Sequence, residues 1–354
     1  MASGASYKNN PSARAKRRIM FDINSVKNET DEIKFLKGLY FDFKIEESFE
    51  TKYKMLIIGP EDTPYVGGFY GFDGQFPDNY PYYPMTMKTL TQGGGIRKHP
   101  NLYTGGKCCF SFLGTWQGPP WTACQNPDTV GVSMRSVMTN NPIVNEPGWE
   151  KRDDAKTKLY EDMIVYFNLR YAVVEFIKEL RCEKGVGYQF KPMASKIYQH
   201  FVYNYDKGFY HDKLSKIKSY SGQQLKSPVY GFSVEFDIKY VEAQLKNLYS
   251  VIIKENPDLK LIWKANETKN TTYTEDIQIN STDEVSDNAS IGSDKSSVSS
   301  SSSHKKLKIK KKYNRKAPKE KAGNFELNHE LKGVDGKMWK VKETKTGQKR
   351  WYKV

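Results

Sequence analysis

Residues 52–84, KYKMLIIGPEDTPYVGGFYGFDGQFPDNYPYYP, restrict the fold more than any other stretch of the chain. Two short runs rich in β-formers, KYKMLIIG and GFYGFDGQF, flank PEDTPYVGG, a cluster of turn residues, so two strands are expected to double back on each other. FPDNYPYYP then concentrates prolines, which have no N–H to give a ladder, so it should end the sheet and leave a stiff, extended loop. Ahead of the strands, PSARAKRRIMFDINSVKN (residues 11–28) predicts a helix. Ile19, Ile23 and Val26 form its apolar stripe, and Lys16, Arg17 and Arg18 lie near its start. Downstream, Val130, Met134, Val137 and Met138 share one side of a helix over 128–138. A longer helix is expected from about Asp153 to Leu180, followed by aromatic-rich helical segments over 185–263.

Composition then breaks. Residues 281–303 contain eleven serines and almost nothing to bury, so they cannot offset the entropy of ordering and should be disordered. The basic run KKLKIKKKYNRK follows, and the chain closes with DGKMWKVKETKTGQKRWYKV, whose KMWKV and KRWYKV halves suggest a small hairpin. The expected organisation is a flexible start over 1–10, a core over 11–180 and a helical extension over 181–263. A Ser-rich and Lys-rich linker over 264–324 and a short Trp-containing tail over 325–354 complete it. The net charge of +15 belongs mostly to the end: residues 304–354 hold 18 Lys/Arg and 5 Asp/Glu, leaving about +2 for everything before them. That tail could carry nuclear import or weak nucleic-acid binding, with Trp339 and Trp351 stacking on bases, or serve as a solubilising segment. The opening residues lack an apolar signal segment, and no run approaches the length of a membrane span. The expected location is cytoplasmic, with the nucleus as the alternative through the basic run, and no membrane partner is foreseen.

KHPNLYTGGKCCFSFLGTWQGPPW, residues 98–121, sets Cys108 beside Cys109; Cys124 and Cys182 are the other two cysteines. Four cysteines at scattered spacing make no disulfide framework. Two small buried hydrophobes is the plain reading of such a pair. Zinc would need further ligands at metal spacing, which His99 and Cys124 do not supply, so neither a metal nor another cofactor is expected. A reactive thiol would need access and polar donors for the charge that develops on an acyl oxygen. The surroundings suit this: Asn101 stands eight residues before Cys109 in a His-Pro-Asn turn, and Gly105 and Gly106 permit a tight return.

HPN, eight residues to a cysteine, then a loop with Trp and Pro resembles the signature of ubiquitin-conjugating enzymes. YGFDGQFPDNYPYYP resembles the family's strand-to-loop segment with Tyr-Pro-x-x-Pro, and GPEDTPYVGG the turn between its first strands. GKCCFSFLGTWQGPPW and NNPIVNEPGWE are similar to the larger, extended members. YEDMIVYFNLRYAVVEF and YGFSVEFDIKYVEAQL are similar to the C-terminal extension of one that also carries a second, ubiquitin-like modifier. Richness in Lys, Asn, Ile and Tyr is compatible with an AT-rich genome, such as that of a large DNA virus or a protist.

The resemblance implies an α+β fold: an antiparallel meander sheet with flanking helices, then a helical extension. It implies that Cys109 is the thioester nucleophile, and that Cys108 fills a slot where relatives carry Val or Ile. Neighbouring side chains on an extended segment point to opposite faces, which agrees with one facing a groove and the other the core. Asn101 would donate its amide to the oxyanion or cap the turn, with His99 and Pro100 structural. Glu146, with Asn145 as second choice, would position the incoming lysine. Lys16 and Arg17 would meet the activating enzyme, which consumes the ATP, and Tyr82 a ligase; here the second ligase loop reads Thr122, Ala123, Cys124. The implied activity is acceptance of ubiquitin or a ubiquitin-like modifier as a thioester and its transfer to substrate lysine or a ligase. Two other readings are an inactive relative that binds modifier or ligase, and a nucleic-acid-associated factor acting through the tail.

Overall fold

The computed structural model describes residues 5–43, 51–151, 154–259, 326–327, 329–332, 337–343 and 349–353. The chain divides into two compact units, residues 1–283 and 284–354. In the first, helix α1 (Ala13–Lys27) starts where the Ser12 side chain accepts the Ala15 N–H, and it buries Ala15, Ile19, Ile23 and Val26. A second helix, α2 (Asp31–Lys37), is capped by Thr30 and closed by Gly38 at φ 58°. α2 is seven residues long, too short for a period of 3.6 to stand out in the sequence, and its Ile33 and Leu36 are exposed.

Four strands follow, β1 (Leu39–Phe43), β2 (Lys52–Ile58), β3 (Phe69–Gln75) and β4 (Thr86–Thr89), paired antiparallel in chain order as a meander. Met55, Leu56 and Ile57 of β2 are all at 0% exposure. Both faces of that strand are covered, which is why it reads as a continuous apolar run. The proline loop does not end the sheet as expected: β4 resumes beyond Pro84 and pairs Phe72 with Thr89 and Gln75 with Thr86. The prolines sit in the excursion, and residues 86–89 keep the N–H groups a ladder needs. The excursion is held on both sides. Tyr80 donates to buried Asp22 of α1 at 2.6 Å. Residues 6–10, expected to be flexible, are tied down through Asp78, which accepts from the Ser6 hydroxyl and the N–H groups of Lys8 and Asn10.

Helix α3 (Pro127–Ser136) opens with Pro127 in its first turn and a reciprocal Asn126–Thr129 capping box, and packs on β1 and β2. The expected long helix is α4 (Ala155–Phe167), a π-helical stretch (Asn168–Glu175) and α5 (Phe176–Arg181) in succession. The wider turn coincides with Asn168, whose side chain donates to Val66 O at 2.9 Å and accepts from Tyr70 at 2.6 Å. Then come α6 (Gly185–Tyr188), α7 (Ala194–Asp206), α8 (Phe209–Ile217) and α9 (Ile238–Glu255). The extension is not wholly helical: β5 (Gln224–Lys226) and β6 (Ser233–Glu235) pair between α8 and α9. Three-residue strands are too short to show a period of two. One apolar cluster runs from Ile19 in α1 through Met55 and Phe72 to Ile252 in α9, so the extension shares the core of the sheet.

In the second unit β7 (Glu330–Lys332), β8 (Met338–Glu343) and β9 (Lys349–Lys353) form an antiparallel sheet in that order, one strand more than the expected hairpin. The register places Trp339, Val341 and Trp351 on one face, with Val341 fully buried. Lys340, Lys342, Arg350 and exposed Tyr352 occupy the other. The tryptophans expected to stack on bases are thus half-buried on the apolar face, and the aromatic on the basic face is Tyr352. The Ser-rich and Lys-rich linker lies outside the described residues. Among the described residues no helix is long and apolar enough to cross a membrane.

Candidate active site around Cys109

The site is assembled on a tight turn. Cys109 N–H donates to Asn101 O at 2.9 Å, and the Asn101 side-chain amide donates back to Cys109 O at 2.7 Å. The eight-residue spacing is therefore the length of loop that closes this reciprocal pair. Gly106 has φ 90°, and a Cβ there would stand 2.7 Å from Lys88 Cε; Gly105 meets neither constraint. His99 is fully buried. Its Nδ1 accepts the Asn101 N–H at 3.0 Å, and its Nε2–H donates to Val137 O at 3.0 Å. Burial, with Lys98 and Arg97 nearby, lowers the imidazole to about 4. A neutral ring with both nitrogens occupied holds the turn on the end of α3 and has no proton to offer the reaction.

The two cysteines part as an extended segment requires, Cys108 joining the apolar core and Cys109 standing outside it. Burial pushes the Cys108 thiol up to about 12. Cys109 was expected to face an open groove, yet it is 2% exposed. The chain after it turns back through Ser111–Leu113 and Gly114, and the Cys109 thiol donates to Thr115 O at 3.0 Å. The Thr115 hydroxyl accepts the Phe110 N–H at 2.9 Å and donates to Cys108 O at 2.8 Å, pinning the cover. Local spacing gave no sign of Thr115. Beneath the site Lys98 is fully buried, its Nζ has no hydrogen-bond partner among the described residues, and desolvation lowers it to about 7.

Glu146 and Asn145 end the short turn Pro142–Asn145. The Asn145 amide is spent on Pro142 O at 3.1 Å. The Glu146 carboxylate accepts from the hydroxyl of Tyr230, a residue of the extension between β5 and β6. The Tyr230 ring also faces the Arg97 guanidinium at 4.0 Å, and Tyr103 faces the same guanidinium at 3.7 Å. Arg97 donates to Pro100 O at 2.5 Å, and Tyr160 donates to Arg97 O at 2.7 Å. Arg97 and Tyr103 flank the HPN motif and could have been suspected from sequence; nothing near Tyr230 points to the site.

Lys16 and Arg17 are exposed on α1, and Tyr82 is 55% exposed on the proline loop with the Arg14 guanidinium 5.4 Å from its ring centre. Arg18, third of the basic cluster, is structural: it pairs with Asp22 and donates to Ala123 O at 2.8 Å. No group of three or more metal-ligating side chains is found among the described residues.

Residues 25–166 match the family model for ubiquitin-conjugating enzyme, so this stretch carries a domain of that family. It is similar to ubiquitin-conjugating enzyme E2 Z of Xenopus tropicalis, 35% identical over 201 residues that cover 56% of this chain and 62% of that protein. With human E2 Z the identity is 37% over 180 residues, 50% of this chain and 49% of the relative. The chain thus spans about half to three fifths of these relatives. Among solved structures, the H. polymorpha ubiquitin conjugating enzyme Pex4p aligns at 21% identity over 45% of this chain and 98% of its own, with a TM-score of 0.37.

Proposed function

We propose that this protein accepts the C-terminal acyl group of ubiquitin or a ubiquitin-like modifier as a thioester on Cys109 and passes it to an amine or to a ligase cysteine. The observation that carries this reading is the reciprocal Asn101–Cys109 pairing, which aims one cysteine of two away from the core. Charging requires that Thr115 move off the thiol. The Cys109 sulfur then attacks the activating enzyme's thioester carbonyl. A new S–C bond forms, the old one breaks, and the Cys109 proton ends on the departing thiol. In discharge a lysine nitrogen attacks the same carbonyl, the Cys109 S–C bond breaks, and the proton lost by the amine returns to the cysteine. The Asn101 amide donates to the backbone carbonyl of the reacting cysteine, and it either stabilises the oxyanion or holds the loop that does. Glu146 orients the amine. Lys16 and Arg17 form the surface for the activating enzyme, and Tyr82 that for a ligase.

The test is incubation with activating enzyme, ATP and ubiquitin, read on a non-reducing gel. Wild type should form a thiol-cleavable adduct. Cys109→Ser should form a thiol-resistant ester or none, and Cys108→Val should charge normally. An adduct that survives Cys109→Ser and is still cleaved by thiol would overturn the assignment, as would no adduct in wild type.

A further inference from the structure

We propose that Tyr230 is a positioning residue for aminolysis, through which the extension completes the active site; this rests on the function proposed above. One side chain reaches both halves of the site. Its hydroxyl donates to Glu146, and its ring carries the Arg97 guanidinium, which in turn donates to the Pro100 carbonyl of the HPN turn. Those partners lie 84 and 133 residues away in sequence, so the junction exists only because the extension folds back.

The ring has little freedom. Arg97 lies between Tyr103 at 3.7 Å and Tyr230 at 4.0 Å. The Tyr160 ring meets Tyr230 edge-on at 6.0 Å and 69°. Tyr230 also holds φ 64°, a conformation that a bulky aromatic seldom adopts, and Gly231 follows at φ 70°. A turn that needed only to join two three-residue strands would put glycine or asparagine at both places. The surrounding contacts must over-determine the conformation for tyrosine to persist there.

The chemistry is specific. A phenol hydroxyl donating to one carboxylate oxygen fixes the Glu146 rotamer and leaves the second oxygen to receive an incoming ammonium or amine N–H. Phenylalanine at 230 would keep the stack on Arg97 and lose only this bond. The expected defect is therefore confined to attack by amines. It should spare charging, and it should spare hydrolysis of the thioester by water, which needs no oriented amine.

The experiment compares wild type, Tyr230→Phe, Glu146→Gln and the double variant in full-length protein. Charging by the activating enzyme, thioester hydrolysis without amine, and single-turnover discharge to free lysine are measured, with a melting curve for each. Tyr230→Phe should slow discharge on the order of 10-fold, the usual effect of one hydrogen bond to a charged group. Charging and hydrolysis should stay within about two-fold of wild type, and in the Glu146→Gln background Tyr230→Phe should add less than about two-fold. Wild-type discharge in Tyr230→Phe, a parallel fall in charging and discharge, or fully additive defects in the double variant would each overturn the proposal. If wild type fails to charge, the proposed function falls first and takes this inference with it; if it charges and Tyr230→Phe is silent, only the inference falls.

Discussion

The site has two halves built in different ways. In the first, His99, Asn101, Cys109 and Thr115 bond across separations of two to eight residues. In the second, Arg97, Tyr160, Glu146 and Tyr230 bond across 63 and 84 residues. The first forms wherever its loop forms, because short loops close at small entropic cost. The second is complete only after the extension has docked on the core, because Tyr230 belongs to the extension. We read the first as the machinery for holding the thioester and the second as the machinery for receiving the amine. Substitutions in the first half should therefore disturb stability and chemistry together, whereas those in the second should disturb aminolysis alone.

The largest expected effect tests the first half. Asn101→Ala should still charge under excess activating enzyme but discharge to lysine on the order of 100-fold more slowly, as when one oxyanion donor is lost. Leaving Cys109 O without its donor should also destabilise the fold by about 1–3 kcal/mol, seen in denaturant unfolding. Intact discharge would place Asn101 outside the chemistry and leave it a loop-holding residue.

Lys98 sharpens the comparison from beneath, because it serves neither half. Desolvation holds it near 7 against an ordinary 10.5, so between those values the unfolded chain binds more protons than the native one. Stability attributable to this site is thus lowest near and below pH 7 and recovers as pH rises toward 10.5. Lys98→Met should raise the melting midpoint by several degrees, roughly 1–3 kcal/mol for relieving an unpaired buried group, and the gain should shrink steadily in alkaline buffer. A gain that does not vary between pH 7 and 10 would contradict the burial argument.

Gly106 and Gly105 stand side by side and should respond differently. Gly106→Ala should cost about 1–2 kcal/mol, since an L side chain in that left-handed region clashes with its own backbone and would also press on Lys88. Gly105→Ala should stay within about 0.5 kcal/mol, as for an open surface position. Equal costs would mean that the turn relaxes.

Cys108→Val is the smallest effect: a near-isosteric apolar exchange costing less than about 1.5 kcal/mol in thermal unfolding, with charging unchanged. A charging defect would show that the two cysteines do not divide their roles as their packing does.

Residues close together in the chain were legible in advance. The α1 stripe, the apolar run of β2, the turn-rich break before β3, and the distance from Asn101 to Cys109 are each written in fewer than about thirty residues. Each is governed by local geometry: 3.6 residues per helical turn, alternation along a strand, the reach of a loop. The opposition of Cys108 and Cys109 followed from that alternation, and so did the grouping of Trp339, Val341 and Trp351 on one face once the register was known. What only the tertiary structure decided is what covers and what meets. The return of β4 beyond the prolines required a partner strand. The cover of Thr115 over Cys109 required the chain to turn back at Gly114. The tyrosine of the extension that touches both Arg97 and Glu146 required α7, α8 and α9 to dock on a shared core. A contact across more than a hundred residues leaves no period or spacing in the sequence, because its energy is gained only after the intervening chain has already folded.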